Sequence, residues 1–73
     1  MILTSQQQQA VDLVTAAIRS KFPEASPLLE AGPAGLTLRV GVSPARFSEI
    51  ESVMMGTLTD VMLTTGVLLV LTP

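Results

Sequence analysis

The stretch Leu36-Thr37-Leu38-Arg39-Val40-Gly41-Val42 changes character at every step. Side chains of a β-strand point to opposite faces with a period of two. Leu36, Leu38, Val40 and Val42 therefore share one face, and Thr37, Arg39 and Gly41 the other. A half-buried strand needs a sheet, and a sheet with one apolar face needs something packed against it. A chain of 73 residues has room to do this once, as a single domain over residues 1–73.

The rest of the chain supplies the layers. Residues 4–22 read as an amphipathic helix. Thr4 stands three residues before Gln7, a capping-box spacing, and Ser5 and Gln8 repeat it one step on. Ala10, Val11, Leu13, Val14, Ala17 and Ile18 recur at spacings of three and four. Arg19 and Lys21 suit the negative end of the helix dipole, and Pro23 ends the helix. Leu28-Leu29 is a short strand, and Ala31-Gly32-Pro33-Ala34-Gly35 a turn cluster that makes residues 26–42 a hairpin. Ser43-Pro44 starts a second helix, with Ser at the N-cap and Pro at the first helical position. Phe47, Ile50, Val53, Met54, Leu58, Val61 and Met62 mark its apolar face, widened by Met55 and Leu63. Gly56 either bends this helix, over 44–64, or divides it in two. Gly66 suits the position just past its end.

The last segment, Val67-Leu68-Leu69-Val70-Leu71, is apolar at every position. A continuous apolar run reads as a strand buried on both faces, which places it in the middle of the sheet. The expected fold is thus α+β, in the order α-β-β-α-β with the second helix either whole or split at Gly56. Its three-stranded sheet carries both helices on one face. The other face of the C-terminal strand then lacks a cover.

Composition narrows the chemistry. A domain this short buries only about 60% of its unfolded surface, and with no Cys it has neither a disulfide nor a thiolate ligand. With no His, the commonest metal ligand and the usual general base are missing. A dense aliphatic core and oligomerisation are the remaining routes to stability. The four basic residues, Arg19, Lys21, Arg39 and Arg46, are dispersed in a chain of net charge −2, and Phe22 and Phe47 are its only aromatics. Binding to a nucleic acid needs a basic patch and stacking platforms, so no nucleic-acid partner is expected. Met1-Ile2-Leu3 runs straight into Thr4-Ser5 and four glutamines, without the basic and apolar regions of a signal peptide. A cytoplasmic location is expected.

Individual motifs read most simply as structure. Gly32-Pro33-Ala34-Gly35 matches G-x-x-G but sits in a hairpin, lacks a basic residue, and is not followed by Gly-Lys-Ser/Thr. Glu49 and Glu51 are two apart on a helix and point in different directions. Asp60, among Thr57, Thr59 and Thr64, reads as a cap or a solvent-facing residue rather than a buried carboxylate. Lys21 ends an exposed turn and is no desolvated amine. Met54, Met55 and Met62 read as core, with an adaptable binding surface as the other reading. Residues 53–71 hold one charge, yet Gly56, Thr57, Thr59, Asp60, Thr64, Thr65 and Gly66 interrupt them. A charge near the centre of a span costs about 3 kcal/mol, so a membrane span is not expected. No catalytic residue, metal site or cofactor is assigned.

One resemblance runs through most of the chain. The helix ending in Arg19-Ser20-Lys21-Phe22-Pro23, Leu28 and Leu29 ahead of the turn at Gly32, and the strand Leu36 to Val42 resemble the minimal nucleotidyltransferase domain. Phe47 to Gly66 followed by Val67-Leu68-Leu69-Val70 resembles that family's helix and late strand. In the family a Gly-Ser turn holds nucleotide phosphates and strand carboxylates bind magnesium. Here Pro33 follows Gly32, and the strand carries Thr37 and Arg39 but no Asp or Glu. The resemblance implies a degenerate relative with no site residue carried over, one that binds nucleotide or supports an active partner. BolA-like and type II KH folds are similar in element order if the second helix is split, but their ligand chemistry is unsupported without His, Cys or a basic loop.

The leading expectation is a non-catalytic interaction module that self-associates, as a homodimer, through the sheet or the C-terminal strand Val67, Leu68, Leu69, Val70 and Leu71. The alternative is the degenerate nucleotidyltransferase-like domain.

Overall fold

The structure, a computed structural model, describes residues 2–32 and 35–73. Its elements run α1 (Ser5–Lys21), β1 (Leu28–Gly32), β2 (Gly35–Arg39), α2 (Pro44–Thr65) and β3 (Leu69–Thr72). This is the expected α+β order. Pro33 and Ala34, the middle of the turn cluster, lie outside the described residues.

Helix α1 begins where the sequence puts it. The Thr4 hydroxyl accepts from the Gln7 N–H at 3.1 Å, and the Gln7 side chain accepts from the Thr4 N–H at 2.9 Å. This closes the capping box on Thr4 rather than Ser5. The helix buries Ala10, Val11, Val14 and Ile18 and ends at Phe22, whose side chain joins the core. Helix α2 starts on Ser43, whose hydroxyl accepts from the Arg46 N–H at 3.3 Å, and stops at Gly66, held at φ 74°. It is continuous through Gly56. A helical glycine costs about 1 kcal/mol relative to alanine. That is too little to break a helix whose buried stripe, Ile50, Met54 and Val61, spans the glycine. The condition for a BolA-like or type II KH order, a split second helix, is not met.

The sheet has the order β1-β2-β3. Strands β1 and β2 are antiparallel, with Leu29 opposite Leu38 and Gly32 opposite Gly35; β2 and β3 are parallel, with Leu36 opposite Leu69 and Leu38 opposite Leu71. The regular part of β2 stops at Arg39, earlier than the alternation predicts. Gly41, at φ 73°, turns the chain toward Ser43. Val40 is still fully buried, and Val42 packs against the core.

The placement of the C-terminal strand is corrected. β2, not β3, is central, and β3 forms an edge. The hairpin occupies one side of β2, so the crossover through α2 can bring β3 only to its other side. Nor is β3 buried on both faces. Leu69 and Leu71 enter the core while Val70 is 41% exposed and Leu68, just before the strand, 63%. The core is closed by Leu36, Leu38, Leu69 and Leu71 of the sheet meeting Val14, Ile18, Ile50 and Met54 of the helices. Both helices lie on that side.

Candidate interaction surface

Three surfaces surround this core. The outer face of the sheet carries two cross-strand rows: Leu28, Arg39 and Thr72, then Glu30, Thr37 and Val70. Arg39 Nε lies 2.6 Å from Glu30 Oε1, diagonally across the hairpin. Both side chains are substantially exposed, and such a pair contributes about 0–1 kcal/mol. Thr37 and Arg39, the positions the resemblance singles out on this strand, thus belong to an open sheet surface.

A second surface is the shallow cleft between the helices, lined by Leu13, Thr57, Asp60, Val61 and Thr64. Asp60 is exposed there, in line with its solvent-facing reading. Beyond the cleft, a knot ties the start of α2 to the segment after α1. Arg46 Nε donates to Glu24 Oε1 at 2.6 Å, Arg46 Nη1 donates to Glu49 Oε2 at 2.6 Å, and the guanidinium lies 4.9 Å from the centre of the Phe22 ring. A backbone hydrogen bond, then the bond from Arg46, hold the Glu24 carboxyl below the usual carboxylate range. Glu49, then Glu24, raise the pKa of Arg46.

The third surface is the edge of β3. The Val40 N–H donates to the Thr72 carbonyl at 2.8 Å. In a strand the N–H and C=O of one residue point to the same edge, and successive residues alternate edges. With Arg39 opposite Thr72, Thr72 and Val70 face β2. Leu69 and Leu71 turn their N–H and C=O groups to the open edge, where no backbone partner exists among the described residues. No charged residue occurs from Val67 to Pro73.

Beside this edge runs one flank of α2. Thr57, Asp60 and Thr64 turn toward α1 at the cleft with Leu13. On the far side of the buried stripe stand Met55, Leu58 and Met62, at spacings of three and four on a flank directed away from α1. Helix α2 is the one that comes close to β3. The start of α1 lies at the end of the sheet where the hairpin turn and the approach to β3 meet: Gln7 shares a cleft with Ala31, Gly32, Gly35, Leu36, Gly66, Val67 and Leu68. A right-handed crossover from β2 through α2 to the parallel β3 sets the flank opposite α1 on the β3 side of the helix, so the Met55–Met62 flank lies toward the β3 edge. Met55 and Met62 are exposed and Leu58 half-buried.

The five residues singled out from the sequence thus divide by role. Leu69 and Leu71 give their side chains to the core and only their peptide groups to the edge. Val70 presents its side chain on the outer face, and Leu68, just before the strand, is exposed. Val67 is half-buried against the core, and its N–H donates to Thr65 Oγ1 at 3.2 Å. The methionines divide too: Met54 is fully buried, while Met55 and Met62 reach the surface. The sequence put all three methionines with the core, with an adaptable binding surface as the other reading; it did not separate the 55/58/62 flank from the buried 50/54/61 stripe. Among the described residues no group of three His, Cys, Asp or Glu side chains is placed to hold a metal, and no helix is long and apolar enough to cross a membrane. Compared with known proteins, the chain matches no family model, no curated protein and no solved structure.

Proposed function

We propose that this chain is a non-catalytic protein-interaction module that self-associates as a homodimer through its C-terminal strand. The observation that carries the reading is the open edge of β3: unpaired peptide groups on a stretch without a charge, next to an apolar helix flank. Edge strands of monomeric proteins are usually blunted by charged side chains, proline or bulges. The opposite edge, β1, carries Glu30; β3 is short, at four residues, but has neither a charged residue nor a proline within its length. In a two-fold interface each residue near the axis meets its own copy, so a charge there would meet a like charge. A neutral edge suits such pairing. The inter-helix cleft, with Asp60 on its rim, suits it less. A cytoplasmic setting belongs to this reading and is supported by the cysteine-free sequence.

The test is the solution mass of the purified chain at micromolar concentration, by light scattering or sedimentation. The expected value is twice 7.7 kDa. A folded chain at the single-chain mass across that range would falsify the reading.

A further inference from the structure

Resting on that self-association, the geometry points to one specific arrangement: β3 pairs antiparallel with β3 of a second copy, with Val70 opposite Val70 on the two-fold axis. The free hydrogen-bonding groups decide the register. Only Leu69 and Leu71 turn N–H and C=O to the open edge, as the Val40–Thr72 bond and the β2–β3 register require. Centring the axis on Val70 sets Leu69 against Leu71 of the second copy, and Leu71 against Leu69. Every free N–H and C=O of the two strands then finds a partner in narrow hydrogen-bonded pairs. Sliding the axis to Leu69 calls on the Val67 N–H, which already donates to Thr65 Oγ1. Sliding it to Leu71 sets Leu69 against Pro73, which has no N–H.

The same arrangement resolves the question of area. A stable interface buries roughly 1,200–2,000 Å² in total, more than a four-residue strand can supply alone. Pairing at β3 joins the two sheets into one and brings the Met55–Met62 flanks together above the seam. Unbranched, adaptable methionines suit a self-packing surface. On the other face, the partly exposed Val70 side chains meet.

Cysteine scanning tests the register directly, because the chain has no cysteine of its own. In the Val70-centred register the two Val70 Cα atoms lie about 4.5 Å apart, within the roughly 4.4–6.8 Å span of a disulfide. The two Thr72 Cα atoms lie about 14 Å apart, four residue steps along the strands at ~3.4 Å each plus the strand spacing. Under mild oxidation V70C is expected to form a covalent dimer at least tenfold faster than T72C. A second readout is M62E, expected to lower the dimer fraction while the circular dichroism stays that of the native fold. If the wild type has the mass of two chains but V70C cross-links no faster than T72C, the register is wrong while self-association stands. A two-chain wild type whose dimer fraction M62E leaves unchanged overturns the helix contribution. A single-chain mass for the wild type overturns both readings.

Discussion

The backbone N–H of Val40 donates to the carbonyl of Thr72 at 2.8 Å, and this bond fixes which peptide groups of β3 remain unpaired. It places Thr72 and Val70 on the β2 side and so leaves Leu69 and Leu71 facing outward. A strand with the opposite phase would offer the groups of Val70, and the register of any pairing would shift by one residue, turning the other set of side chains to the core.

Val70→Lys separates self-association from folding. The side chain is partly exposed on the outer face, so the substitution leaves the core of a single chain intact. On the two-fold axis it opposes two ammonium groups. The dimer dissociation constant is expected to rise by roughly tenfold or more, because like charges directly opposite on paired strands repel and lose hydration. Sedimentation measures the mass, and far-ultraviolet circular dichroism checks that the fold persists.

Gly56 and Gly66 respond to alanine in opposite directions. Gly56 lies inside α2, and a Cβ there meets nothing within 4 Å. Gly56→Ala is expected to stabilise the chain by about 1 kcal/mol. Gly66 also has open space, but its φ of 74° strains any residue with a Cβ. Gly66→Ala is expected to cost about 1–2 kcal/mol. Urea melts of the two variants, run against wild type at one protein concentration, give both signs.

Leucines of equal volume differ by where the fold puts them. Leu38, in the central strand, is 1% exposed, whereas Leu63, on α2, is 76% exposed. Leu38→Ala is expected to cost about 3 kcal/mol through lost burial and the cavity left behind, a large share of the roughly 5 kcal/mol available to a small domain. Leu63→Ala is expected to stay within about 0.5 kcal/mol of wild type. Thermal melts would show a steep loss for the first and almost none for the second.

Acid weakens the knot around Arg46. The folded state lowers the pKa of Glu24, so its contribution to stability is complete above the ordinary carboxylate pKa. That contribution is lost as pH falls from there through the lowered folded value. Arg46→Ala removes the hydrogen bonds to Glu24 and Glu49 and the contact with Phe22. It is expected to lower the melting temperature at neutral pH, with a gap to wild type that narrows in acid. Melting temperatures of both proteins, taken from neutral pH down through the carboxylate range, measure it. A gap independent of pH would mean that Arg46 acts through packing alone.

The local elements were legible because their causes are local. Thr4 with Gln7, Ser43 with Pro44, and Gly66 mark helix ends through chemistry contained within one turn. The alternation from Leu36 names the side chains that enter the core. Whether Gly56 splits a helix was not legible. The outcome depends on the buried stripe across it, which acquires its energy only when α2 lies on the sheet. The candidate site was legible as an apolar segment but not as a surface. Composition gives Leu69 and Val70 equal standing; packing buries one and exposes the other.

By itself, then, the sequence determined an α+β chain with capped helices, a hairpin and a neutral apolar end, because periodicity and capping act over a few residues. Only the tertiary structure decided that β2 is central and β3 an edge. Strand order is set by which neighbour the crossover through α2 reaches, and the hairpin had already filled one side of β2. The edge position, in turn, leaves Leu69 and Leu71 with free peptide groups on the side of Met55 and Met62. No property of those four residues, taken in sequence, brings them together.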